Sequence, residues 1–220
     1  MPGAWNAAAA LHRIAVEESG EGLSRARTGG LLYYAQGISL ATTGEPLFEA
    51  TFRPTGYGFE IREFDERSGP WWHIPDSIEP GALAGSRILR EVLQVFGPLN
   101  AQALAGAIRS EAPWRTVGGE RRERALVSQT EIHDHFAEML DDGRDIIDEL
   151  GLPTYPDRPS WEQAYRVAVN VKCLAGHPLF NETESRTLRR KLDLEDLPDD
   201  WDHDAPDHGR DEGLPAFAAR

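Results

Sequence analysis

Histidines and carboxylates crowd together at two places, "EIHDHFAEMLDD" (131–142) and "DDWDHDAPDH" (199–208), where metal ligation is the chemistry to test first. On a helix His133 and His135 are two residues apart and point roughly 200° away from each other, so they cannot chelate one ion together. They read as solvated flanks of an Ile132, Phe136, Met139 stripe. The second segment lacks the glycine-turned twelve-residue spacing of a calcium loop, and no dedicated metal site is expected. Cys173 is the single cysteine, which rules out an intramolecular disulfide, and its apolar neighbours in "AVNVKCLAG" make it a structural thiol. No G-x-S-x-G elbow occurs, and "TGG" and "GYG" match neither the P-loop nor the dinucleotide pattern. With neither a nucleophile nor a base nominated, the expectation is a non-enzymatic protein without cofactor or metal.

A binding role therefore has to be sought in charge and surface. The formal net charge is −14, and it is concentrated: Asp193 to Gly213 holds ten carboxylates against one arginine. That balance argues against nonspecific nucleic-acid binding, which needs cations to displace phosphate counterions, and it permits a basic protein partner. No run approaches the roughly 20 apolar residues of a membrane span, and "MPGAWNAAAALHRIAVEES" lacks a basic region followed by an apolar one. The chain reads as cytoplasmic.

The elements that must carry any such surface are mainly α-helical. Leu11, Ile14 and Ala15 mark a first helix over about 5–18, stopped by "ESGEG". A second, over about 23–42, is apolar on most sides, which makes it central; Gly30, Gly37 and Ala41 then mark places where neighbouring elements come close. Alternating pieces between 48 and 64 predict a short hairpin or irregular turn leading into one helical turn, followed by the proline-bounded loop "SGPWWHIPD". Over 86–110 two apolar stripes are separated by Gly97-Pro98, predicting two short antiparallel or crossed helices. An amphipathic helix in "SQTEIHDHFAEMLDDG" is followed by a further one in "RDIIDELGLP", which stops at Gly151. Ser160 with Gln163, and Asn181 with Glu184, stand at capping-box spacing and open two C-terminal helices. From about residue 195 the charge density and Pro/Gly content predict a disordered acidic tail.

The 86–110 helix pair also raises DNA reading by a helix-turn-helix, but "NAQALAGAIRS" offers a groove only Asn100, Gln102 and Arg109. Beyond it, Pro113 is expected to stop the helix, and Trp114 either caps the core or joins Trp71 and Trp72 in an exposed aromatic platform of the kind that dominates interfaces.

Two segments in this order, "LLYYAQGISLATTGEPLF" (31–48) and "EVLQVFGPLNAQALAGAIRSEAPW" (91–114), resemble the Panacea domain, the SocA-like antitoxin domain of bacterial and phage toxin–antitoxin systems. The second is similar to the family's later stretch with its Glu-x-Pro-Trp ending, and "SQTEIHDHFAEML" sits where the family has its last core helix. The resemblance covers about residues 23–141. This chain has "TGYGFEI" where a Gly-Pro-Val segment is common, Gly30 where a lysine precedes the double leucine, and Ile108-Arg109 in place of Thr-His. It is identified as a divergent member.

The resemblance implies a non-enzymatic, mostly helical domain that neutralises a cognate toxin by direct binding, with some relatives handing the toxin to a protease; a chaperone is a further possible partner. The expected organisation is a helical core over 1–142, a C-terminal helical extension over 143–194 and an acidic tail over 195–220. Toxin contacts are expected from Tyr57, Phe59, Trp71, Trp72 and Trp114, assisted by Asp199, Asp200, Trp201 and Asp202 of the tail, which would mimic phosphate charge over a basic site. The alternative is a DNA-binding regulator built on the 86–110 pair.

Overall fold

The computed structural model describes residues 2–56, 58–64, 85–117, 125–154, 156 and 159–174. They form α1 (Ala4–Ser19), α2 (Arg25–Thr43), a hairpin of β1 (Phe52–Thr55) and β2 (Gly58–Ile61), a 3-10 turn (Arg62–Phe64), α3 (Ser86–Phe96), α4 (Ala101–Ser110), α5 (Ala112–Val117), α6 (Gln129–Glu149) and α7 (Ser160–Leu174). The fold is mainly α, as composition and periodicity predicted. Among the described residues the only sheet is the antiparallel pair, with Phe52 opposite Ile61 and Thr55 opposite Gly58.

Helix α2 is the hub. Thirteen consecutive residues from Thr28 to Leu40 are buried, and α3, α4, α6 and β2 all pack against it. Ser24 caps its start by accepting from the Arg27 amide, and Gly44 ends it at φ 74°, a left-handed conformation that costs glycine little. Of the three expected close approaches, the two at glycines are present. A β-carbon at Gly30 would lie 2.7 Å from Leu104 Cδ2 on α4, and one at Gly37 would lie 2.5 Å from Phe136 Cγ on α6. Each glycine gives up about 1 kcal/mol of helix propensity to let these helices meet.

Gln36 shows how a central helix carries a polar side chain. Fully buried, it accepts from the amides of Leu47 (3.1 Å) and Phe48 (3.3 Å) and donates to the Phe48 carbonyl (3.2 Å). It serves the chain after α2 as a strand neighbour would, leaving no buried polar group without a partner at that point.

Three local expectations are corrected. Helix α6 does not stop at Asp142-Gly143; it runs unbroken to Glu149, because Ile132, Phe136, Met139, Leu140, Gly143 and Ile147 continue one buried stripe through the glycine. The expected boundary after residue 142 therefore falls inside a helix, and α7 joins the same core, with Tyr165 fully buried and its ring 6.0 Å from Phe96. Ser160 and Gln163 do not form a capping box: Ser160 is already helical and Gln163 donates to the Pro153 carbonyl at 2.7 Å. The capping box is at Ser128 and Glu131, opening α6. Pro113 does not end the helix pair but sits in the first turn of α5, where a missing N–H is tolerated. Asn181, Glu184 and the tail lie outside the described residues.

Candidate functional site

Segments 31–48 and 91–114 meet at one carboxylate. Glu111, at the junction of α4 and α5, accepts from the Tyr33 hydroxyl at 2.9 Å and from the Tyr34 hydroxyl at 2.6 Å, one phenol on each oxygen. From α6, His135 Nε2 stands 3.3 Å from Glu111 Oε2, and both side chains keep only about a tenth of their surface exposed (11% and 10%). Burial first, then the charge of Glu111 and the hydrogen bond to it, raise both tyrosine pKa values well above the ordinary one. The phenols therefore stay neutral donors at physiological pH, and the carboxylate is held between them. The arrangement ties α2, the α4–α5 junction and α6 together.

Aromatic packing surrounds this group. Phe136 sits edge-on to Tyr33 and Tyr34, with ring centroids 5.5 and 5.9 Å away, and Tyr34 stacks on Phe96 at 3.9 Å. Trp114 donates from its indole to the carbonyls of Thr55 and Gly58, both at 3.2 Å, fixing the hairpin turn against α5.

Those contacts decide where the expected toxin-binding residues stand. Phe59 and Trp114 are interior, 3% and 8% exposed, so they build the domain instead of presenting an aromatic platform. The physical reason is the hairpin, which folds Phe59 against Tyr33 at 4.6 Å and brings its turn under the indole. Tyr57, Trp71, Trp72, Asp199, Asp200, Trp201 and Asp202 lie outside the described residues. The two histidines diverge as expected, yet only His133 is solvated, paired with Asp134 at 2.9 Å. His135 faces Glu111, a partner 24 positions earlier that periodicity within α6 cannot supply.

A surface that the expectations did not single out runs along α6. Asp134, Glu138, Asp141, Asp145 and Asp148 recur every three or four residues on its exposed side, with Asp142 and Glu149 beside them. From 134 to 148 the stripe is about 21 Å long. The one cation on this part of the helix is Arg144, paired with Asp141 at 2.5 Å. Carboxylates at that spacing, opposite an Ile/Phe/Met stripe, are the sequence signal that marks this row.

Helix α4 offers little to DNA. Leu104 to Ile108 are buried, Asn100 is used as its own helix cap, and only Gln102, Arg109 and Ser110 of the helix are exposed. A recognition helix needs a full row of donors facing the groove. Among the described residues no group of three or more His, Cys, Asp or Glu side chains could hold a metal ion, and no helix is long and apolar enough to cross a membrane.

No family model matches the chain, and neither a curated protein nor a solved structure shows significant similarity to it.

Proposed function

We propose that this protein is an antitoxin that neutralises a cognate protein toxin by direct binding. The observation that carries the reading is the joining of the two resembling segments, 31–48 and 91–114, through Tyr33, Tyr34 and Glu111. Residues that stand out in the resemblance but lack any evident chemistry thereby acquire a physical purpose, that of building one scaffold. The acidic row on α6 supplies a surface complementary to a basic patch on the partner, and such complementarity speeds encounter and selects partners.

The test is co-expression of the tagged full chain with the product of the adjacent reading frame. The expected result is growth arrest by the neighbour alone, rescue by the pair, and a complex that co-purifies and weakens with rising salt. A neighbour that is harmless, or toxic but neither bound nor neutralised, would overturn the proposal. Charge reversal at Glu138 and Asp145 tests the surface separately: binding should fall while the melting curve stays in place.

A further inference from the structure

Where the C-terminal ends of α1 and α3 meet the start of α2 and the middle of α7, there is a cleft of about 430 Å³. That is the size of a small-ligand site. Its floor is apolar, made by Ala15, Leu23 and Leu93, all buried, with Pro98 at the rim.

The walls are fixed by bonds within the protein. The Leu23 amide donates to His12 Nδ1 at 3.2 Å, and the Glu21 amide donates to Ser19 Oγ at 3.3 Å, pinning the α1–α2 loop onto α1. Arg27 donates to the Gly97 carbonyl, tying α2 to the end of α3. At the back, buried Arg166 is held by Glu91 through both Nε (2.5 Å) and Nη2 (2.8 Å), and by Gln94 Oε1 at 3.1 Å. A ligand would meet a preorganised site and lose little affinity to reordering.

Some polar groups on these walls are left over. Arg27 makes no ion pair among the described residues, and its guanidinium gives one Nη2 donor to the Gly97 carbonyl. The side-chain amide NH2 of Gln94 and the carboxylate of Glu21 likewise make no bond to a described residue. A guanidinium and an amide donor beside an apolar floor suit a carboxylate joined to an aliphatic chain. Glu21, exposed on the same lining and joined there by Glu18, suits an ammonium.

We propose that this cleft binds the α-carboxylate of an aliphatic amino acid, free or at the end of a peptide. Arg27 and Gln94 take the carboxylate, Leu23 and Leu93 take the side chain, and Glu21 takes the ammonium group when the amino acid is free. This site is separate from the acidic face of α6 and does not depend on the antitoxin reading.

The experiment is a titration of the 15N-labelled full chain with leucine, N-acetyl-glycyl-leucine and N-acetyl-glycyl-leucinamide, followed by amide chemical shifts. Both acids should move amides within 19–27 and 93–98, and the leucinamide should bind at least about tenfold more weakly. Glu21→Gln, at an exposed position, should weaken leucine several-fold and leave the acetylated acid unchanged; an acetylated acid that binds while leucine does not would assign the peptide source. Gln94→Leu and, as a second variant, Arg27→Gln should each weaken both acids about tenfold, with unfolding curves reporting that the fold is kept. Equal response to the leucinamide, shifts scattered outside the cleft, or no shift at about 10 mM ligand would overturn the proposal.

Discussion

Replacing Gly37 by alanine should destabilise this protein, although the same change in the interior of an exposed helix would stabilise it. By propensity alone the substitution gains about 1 kcal/mol. The structure opposes that gain, because the new β-carbon would lie 2.5 Å from Phe136 Cγ and nearer still to Cδ2 and Cε2. Ordinary contact begins near 3.4 Å, so ring or helix must retreat by roughly 1 Å. Phe136 has no room to swing: it is fully buried, with Tyr33 and Tyr34 edge-on to it and both of those fixed by Glu111. Overpacking of this kind costs about 1–3 kcal/mol, and rigid surroundings place it at the upper end. The net loss is about 2 kcal/mol, a fall in melting temperature of about 4–8 °C for a folded unit of this size. Thermal and urea unfolding would measure it, and a double-mutant cycle with Phe136→Leu would assign it. Phe136→Leu should cost stability in the parent and much less in the Gly37→Ala background, giving a coupling of about 1 kcal/mol or more. A Gly37→Ala variant that melts at or above the parent's temperature would refute the close-packing argument.

The raised pKa values of Tyr33 and Tyr34 carry a sign. Both lie above the unfolded value near 10, so their stabilising contribution is complete below about pH 10 and is lost as pH rises through the folded values. Unfolding followed from pH 8 to 12 should show stability declining above pH 10, with a shallower decline in Tyr33→Phe and Tyr34→Phe. Near neutrality each of these variants should cost about 1.5–3 kcal/mol, because a bond to a charged acceptor is removed. Arg166→Met should cost about 3–5 kcal/mol by leaving Glu91 buried without its bidentate partner, while Glu162 keeps Arg87 at 2.8 Å. A second change, Glu91→Leu, should recover most of that loss in chemical denaturation. Charge reversal at Glu138 and Asp145 should weaken binding to a basic partner and flatten its salt dependence without moving the melting curve, as read by calorimetry and pull-down.

Much of this fold was legible because its signals are local. Helix α2 announced itself as central by being apolar on most sides, and Gly37 marked a close approach in advance. The hairpin and the break at Gly97-Pro98 followed from turn residues between periodic runs. The misreadings came where a local stop signal was outweighed by distant packing. Asp142-Gly143 looks like a helix end, but the buried stripe from Ile132 to Ile147 continues through it. Pro113 looks like a terminator and instead starts α5.

By itself the sequence determined the class of the protein: mainly helical, strongly acidic, with a buried glycine-bearing central helix in segment 31–48 and a helical pair in segment 91–114. Only the tertiary structure decided what those segments do for each other. Tyr33 and Tyr34 lie 78 and 77 positions from Glu111, and helical periodicity carries no information across such a separation. The same holds for His135, drawn from an expected solvated flank to a carboxylate on another element, and for Phe59 and Trp114, whose large side chains fit a surface or a core equally well until the hairpin closes over them. Side-chain chemistry and spacing fix what a residue is able to do, while the partner it meets depends on how the helices pack.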